Sequence, residues 1–396
     1  MSASEKSVQY TKKELPANVS KFGIALLAIG LVIIVIGYLT EPTRSAFNNI
    51  ILLMFLTSIG LGSLFLVAIE YVGGAVWSTP FRRMPEFLSS LVVVLPLIAI
   101  PLLFHLHDIF HWMHPEAVET DNILQGKAPY LNTNFFIIRV FAFFIIWFVF
   151  YKLLTRNSKL QDNTSDQHLT TKNIRISAIF MPFFAITITF TAIDWMMSLE
   201  PHWFSTIYGV YYFSGSVLAA LAASTFIIVW LNERGYLVEG IISDHYYSLG
   251  ALLFAFTNFW AYIAFSQFLL IYYANLPEET FWFLQRWEGN WLIMSLVLIV
   301  VHFIVPYFGL LSQPSKMNPK RLMFMSVWIL FAHIVDLYWL VMPTFSRDGI
   351  ILGWVELGYP LAAFGILILV FVQKSKKENL IPIGDPKLKR GLDFRL

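Results

Sequence analysis

The chain has 396 residues, 57% of them hydrophobic and only 13% charged, with a mean hydropathy of +0.66. That is far more apolar than a soluble globular domain of this length, so the composition points to a membrane protein. The net charge of +2 is uninformative as a total, nothing suggests a nucleic-acid partner, and the absence of cysteine excludes disulfides, thiolate metal sites and iron–sulfur clusters carried by the chain itself.

In chain order, residues 1–22 form a polar segment containing Glu5 and Glu14. The apolar run 23–39 follows, and "GYLTEPT" after it offers no small-residue cleavage site, which predicts a retained helix and not a signal peptide. Nine further runs are long enough to cross the roughly 30 Å of hydrocarbon at ~1.5 Å per residue. They lie at about 50–72, 87–106, 134–153, 176–199, 207–231, 246–274, 290–310, 322–342 and 352–372. The expected fold is an all-α integral membrane protein of about ten transmembrane helices over 23–372, with the longest loops at 107–133 and 154–175. A basic tail, 373–396, is most simply a contact with anionic lipid.

Of the 27 lysines and arginines, 22 fall on the side holding both termini; the other side has Arg44, Lys127, Arg139, Arg286 and Arg347. The positive-inside rule therefore predicts cytoplasmic termini. With the first and last helices set aside, the other eight divide into two sets of four, about 50–199 and 207–342. Their fourth helices end "IDWMMSLEP" and "VDLYWLVMP", each with an aspartate seven residues before a proline. The third helices begin "NFFI" and "NWLI". Two four-helix bundles plus two peripheral helices are the expected plan.

Counting residues from the predicted helix ends places Arg139, Asp194, Asp336 and Glu356 at one level in the outer third of the membrane, with His105 and Asp108 close to it. His302 and His333 fall nearer the midplane, and Glu70 lies near the inner end of its helix. Ionisable groups at such depths cost several kcal/mol unless paired, hydrated or neutralised, so a layer of them marks an ion, proton or substrate route. Arg139 is the expected partner of Asp194. His105 with Asp108, and His333 with Asp336, have i,i+3 spacing, so each aspartate could fix an imidazole tautomer and leave the other ring nitrogen free for proton exchange. The plainer reading is interhelical hydrogen bonding.

"HLHDIFHWMH" supplies His105, His107, His111 and His114, with His107 and His111 at a spacing that metal ligands use. Interfacial histidines are the plainer reading, and no metal is assigned. His302 and His333 are the only mid-depth candidates for haem, which is likewise not assigned.

"LHDIFHWMHPE" from Leu106, "LQGKAPYLNTNFFIIR" from Leu124 and "IDWMMSLEPHWFSTIYG" from Ile193 resemble the NrfD/PsrC-like membrane subunits of quinone-linked oxidoreductases. The resemblance covers nearly the whole chain and is strongest to the smaller of the two such subunits of alternative complex III, the bacterial quinol:cytochrome c oxidoreductase. It implies two four-helix bundles and a bacterial inner-membrane location. It also implies a quinol, menaquinol being one candidate, bound near the outer face. Expected partners are a second NrfD-like subunit, an iron–sulfur subunit and c-type cytochrome subunits, beside lipids; haem and iron–sulfur clusters would belong to those partners. By this resemblance His105, Asp108, Arg139 and Asp194 would line a quinol site or outer proton path. It likewise matches His333 and Asp336 to a related station in the second bundle; from their depth alone, His302 and Glu356 join that path and Glu70 an inner one. The rival classes are a standalone secondary transporter and a purely structural anchor.

Overall fold

The computed structural model describes residues 10–396; Glu5 and the rest of 1–9 lie outside the described residues. Ten helices are long and apolar enough to cross a membrane: α1 (Ala17–Thr40), α2 (Pro42–Gly73), α3 (Thr79–Phe104), α4 (Thr133–Thr164), α5 (Gln167–Leu199), α6 (Tyr208–Glu233), α7 (Ser243–Ala274), α8 (Gly289–Leu310), α9 (Pro319–Phe345) and α10 (Trp354–Lys377). No strand forms among the described residues. The chain is a multi-pass, all-α membrane protein.

Local chemistry sets the helix ends. Asn132, Asp166 and Asn318 accept hydrogen bonds from backbone N–H groups of the first turns of α4, α5 and α9, satisfying donors that a helix start leaves open. Gly74 closes α2 in the left-handed conformation (φ 64°).

α2 packs against α3 and α5, and α4 against α3 and α5, closing one four-helix bundle; α6, α7, α8 and α9 close the second in the same way. The bundles meet along α2 and α6, where Gly62 lets the backbones approach: a Cβ there would lie 2.6 Å from the Ser216 carbonyl oxygen. Small residues at such seams drive helix association in lipid, where the apolar environment gives no hydrophobic force between helices. α1 and α10 pair outside the bundles. Their seam is also made of glycines: a Cβ on Gly30 would sit 2.5 Å from the Ala362 nitrogen, and one on Gly365 2.6 Å from the Leu27 nitrogen. Gly30→Val is expected to lower stability by about 1–3 kcal/mol through overpacking, and fluorescence-detected size-exclusion after heating would read this as a lower melting temperature; an unchanged midpoint would refute the close-packed seam.

Several features differ from the sequence expectation; α1, α2 and α3, for example, begin at Ala17, Pro42 and Thr79, six to eight residues early. The expected inner loop 154–175 is instead helical: α4 and α5 extend toward each other and are joined through Ser165 (φ 51°) and Asp166. The polar residues there suggested loop, but Asp162, Gln161 and Asn157 form ion pairs and hydrogen bonds at the helix surface. α9 runs on through Pro343 to Phe345. Asp336 therefore lies about 14 Å from the end of its helix against about 8 Å for Asp194, at ~1.5 Å per residue. Finally, the basic tail folds back onto the protein. Leu380, Ile381 and Leu388 are buried, Asp385 pairs with Arg82 at 2.5 Å, and the Gly391 carbonyl lies 2.9 Å from His245 Nε2. Lys389, Arg390 and Arg395 remain exposed.

Candidate functional site

The Arg139–Asp194 pair forms as expected. Asp194 is the penultimate residue of the α-helical part of α5 and is 1% exposed. Arg139, two turns into α4, donates to both carboxylate oxygens, Nε to Oδ2 at 3.0 Å and Nη2 to Oδ1 at 2.9 Å. This two-point arrangement is the strongest pairing open to a guanidinium. A third donor, Nη1, reaches the Tyr130 carbonyl at 2.9 Å, and the guanidinium carbon lies 3.9 Å from the Tyr130 ring centre. The Tyr130 hydroxyl donates to Asp194 Oδ1 at 2.8 Å. Burial and the neighbouring carboxylate hold the Tyr130 phenol well above its ordinary value, so it stays protonated at physiological pH. Its position in "APYLN", outside any periodic segment, gave no signal beyond the aromatic itself.

Tyr130 also lines a cavity of about 350 Å³, together with Lys127, Pro129, Ile193, Met197 and Phe204 among others. Its walls are mostly apolar, and Lys127 is held at one side by the Pro201 carbonyl at 2.5 Å. Burial lowers the Lys127 ammonium pKa. At the rim, His202 and Asp121 join at 2.5 Å, which pulls the Asp121 carboxylate below its usual range. These features lie at the end of the molecule opposite the two chain termini, which are tied to each other's end by Lys12 donating to the Lys376 carbonyl.

His105 and Asp108 also come together, Nδ1 to Oδ2 at 2.8 Å, with His105 partly buried and Asp108 half exposed. They neither line this cavity nor hydrogen-bond to Arg139 or Asp194. α3 ends at Phe104, so His105 begins the loop and stacks beside Tyr38 at 5.3 Å. His107, His111 and His114 lie near one another, with His114 Nε2 taken by the His107 carbonyl, and do not converge on a shared point.

The second bundle is built differently. His333 and Asp336 share a face but are 3.9 Å apart, too far for the expected hydrogen bond. His333 Nε2 instead meets Ser58 Oγ at 2.9 Å, while Asp336 accepts from the Tyr211 hydroxyl at 2.5 Å and Trp260 Nε1 at 3.2 Å. Arg286, the basic residue just before α8, makes no pair with Asp336. It is completely buried, lies 3.4 Å over Trp282, and donates to the carbonyls of Trp282, Trp339 and Leu340. The Trp339 carbonyl is free to accept because Pro343, four residues on, has no N–H. Burial pushes the Arg286 guanidinium down to about 9, still above neutrality, so it keeps its charge.

Glu356 is not with His333 and Asp336. It caps the start of α10 through the Gly353 N–H at 2.7 Å and forms a two-point pair with Arg44 of α2 at 2.8 and 2.6 Å, clamping a peripheral helix to the first bundle. Glu70 sits at the opposite end of the molecule in an ion network. Arg82 touches Glu70, Glu86 and Asp385 at 3.0, 3.3 and 2.5 Å, and Arg83 touches Glu86 and Asp162 at 2.6 and 2.7 Å. Four carboxylates thus face two guanidiniums.

Comparison with family models and with curated proteins returns no match. The functional reading therefore rests on this geometry.

Proposed function

We propose that the chain is a membrane subunit of a respiratory quinol:cytochrome c oxidoreductase, akin to the smaller NrfD-like subunit of alternative complex III. On this reading it sits in a bacterial inner membrane with both termini in the cytoplasm. The observation that carries it is an apolar cavity lined by the tyrosine whose hydroxyl donates to the buried Arg139–Asp194 pair. An apolar pocket with a few convergent polar groups is what a planar, poorly soluble ligand needs. A quinol hydroxyl against Tyr130 has a first acceptor for its proton: the quinol proton moves to the phenol oxygen as the phenol proton moves to Asp194, which must pass it on to water at the outer face before a second is taken. The two electrons released pass to an iron–sulfur centre on a partner subunit, and the second proton leaves by the same route. Arg139 holds the carboxylate in place throughout.

The test is to tag the chain, extract it in mild detergent and record what copurifies. Recovery with c-type haem and iron–sulfur subunits and with quinol:cytochrome c activity supports the proposal; a colourless homo-oligomer without such activity overturns it. Within the recovered complex, Tyr130→Phe keeps the ring and removes the hydroxyl. It is expected to lower quinol-dependent turnover at least tenfold, toward the roughly 10²-fold typical of a lost proton-transfer group. Steady-state kinetics on the assembled complex would show it, and turnover equal to wild type would exclude Tyr130 from the relay.

A further inference from the structure

The polar groups of the second bundle stand in an arrangement that no part of the proposed quinol chemistry uses. His302 on α8 is buried and neither ring nitrogen has a hydrogen-bond partner; Nδ1 of His333 on α9 is also without one. Leaving buried nitrogens unmet costs about 1–3 kcal/mol per group, so three such atoms in one place call for an explanation. They stand close together with a carboxylate: one ligand atom from each of His302, His333 and Asp336 lies within 4.8 Å of the other two.

The surroundings are those of ligands held ready. His302 is brought to this point by a widened π-helical turn, Ile299–Ile304, which answers Pro306: the proline ring would clash with the His302 carbonyl four residues back in a regular helix. The His302 ring is then fixed against Trp260, centroids 3.8 Å apart. His333 Nε2 is engaged by Ser58, which leaves Nδ1 as the free lone pair, and Asp336 is oriented by Tyr211 and Trp260. For His333 and Asp336 this is the outer hydrogen bonding by which proteins orient and tune metal ligands, and for His302 the stacked indole holds the ring. The charge also asks for a cation. Asp194 has Arg139, whereas Asp336, 1% exposed, has no arginine or lysine within ion-pairing distance among the described residues.

We propose that His302, His333 and Asp336 bind a divalent first-row transition-metal ion. Two imidazoles and one carboxylate suit Zn²⁺ or Fe²⁺ better than Mg²⁺ or Ca²⁺, which favour oxygen, and the lack of thiolate disfavours Cu(I). At metal–ligand distances of about 2.0–2.2 Å, ligand atoms stand roughly 3.3 Å from one another, so closure from the observed spacing takes a modest rotation of the rings. The ion would tie α8 to α9 and neutralise Asp336. This site is independent of the quinol reading and lies in the other bundle.

The full chain, purified through a tag without histidine, would be titrated with Co²⁺ as a spectroscopic probe and with Zn²⁺, and bound metal measured by mass spectrometry after desalting. One equivalent per chain and visible d–d absorption are expected. His302→Leu should reduce retained metal at least tenfold, and it should fold, since His302 makes no side-chain hydrogen bond to lose. Zn²⁺ should also raise the melting temperature of the wild type and leave that of His302→Leu unchanged. Wild type that takes up less than about a tenth of an equivalent, or His302→Leu and His333→Leu proteins that retain as much as wild type, would overturn the site. If a variant fails to fold, the wild-type cobalt titration decides the question alone.

Discussion

Asp194→Asn is expected to depress quinol-dependent turnover by about 10²-fold in complexes that still assemble, and to destabilise the subunit as well. Asparagine keeps the shape, and its carbonyl oxygen can still accept from Arg139. What it loses is the charge that compensates a guanidinium only 6% exposed and the acceptor that takes the Tyr130 proton. Breaking one side of a buried pair costs about 3–5 kcal/mol, because the remaining charge is stranded, while replacing both partners by apolar groups is often close to neutral. This difference separates architecture from chemistry. The double substitution Arg139→Met with Asp194→Leu should recover much of the melting temperature lost in either single variant and none of the turnover. If turnover recovered along with stability, the pair would be a strut and the relay would be wrong. Unchanged turnover and proton release in Asp194→Asn would remove the residue from the mechanism directly.

The second large effect is expected at the other end of the molecule. Arg82 is 2% exposed and contacts three carboxylates, one of which, Asp385, belongs to the C-terminal tail. Arg82→Met would leave Glu70 and Asp385 without a cation and Glu86 with Arg83 alone, at a cost of about 3–5 kcal/mol by the same argument. It would also unfasten the tail, whose remaining polar ties are few. Limited proteolysis should then cut after the lysines at 374–377 under conditions in which the wild type resists. Asp385→Asn should give the same cut with a smaller loss of stability, since the arginine keeps two partners. An unchanged digestion pattern in both variants would show that apolar burial of Leu380, Ile381 and Leu388 suffices to hold the tail.

Much of the architecture was legible because lipid imposes one pattern strongly: ten apolar runs gave ten helices. The limits of those helices were not, since the ends of α4, α5 and α9 are polar or proline-containing and only tertiary partners keep them helical. The Arg139–Asp194 pair followed from depth and charge. Tyr130, Tyr211, Trp260 and Ser58 could not be found this way, as hydroxyl and indole groups carry no charge and no periodicity to set them apart from the interfacial aromatics. Counting from helix ends gave Asp336 and Asp194 equal distances that the longer α9 does not keep, and it could not tell that Glu356 pairs with Arg44 of α2. Residue counts carry an error of a turn or more, and they say nothing of rotation about the helix axis.

The glycine seam between α1 and α10 bears on biogenesis. The two helices that grip each other most closely are separated by 313 residues, from Thr40 to Gly353. At roughly 5–20 residues per second of synthesis, α1 emerges some 15–60 s before its mate exists. Through that interval it must reside in the bilayer with its glycine face turned to acyl chains, which its almost uniformly apolar surface permits. The later-made helix is therefore the clasp, and a ribosome that stalls before residue 354 leaves its earlier mate unmoored.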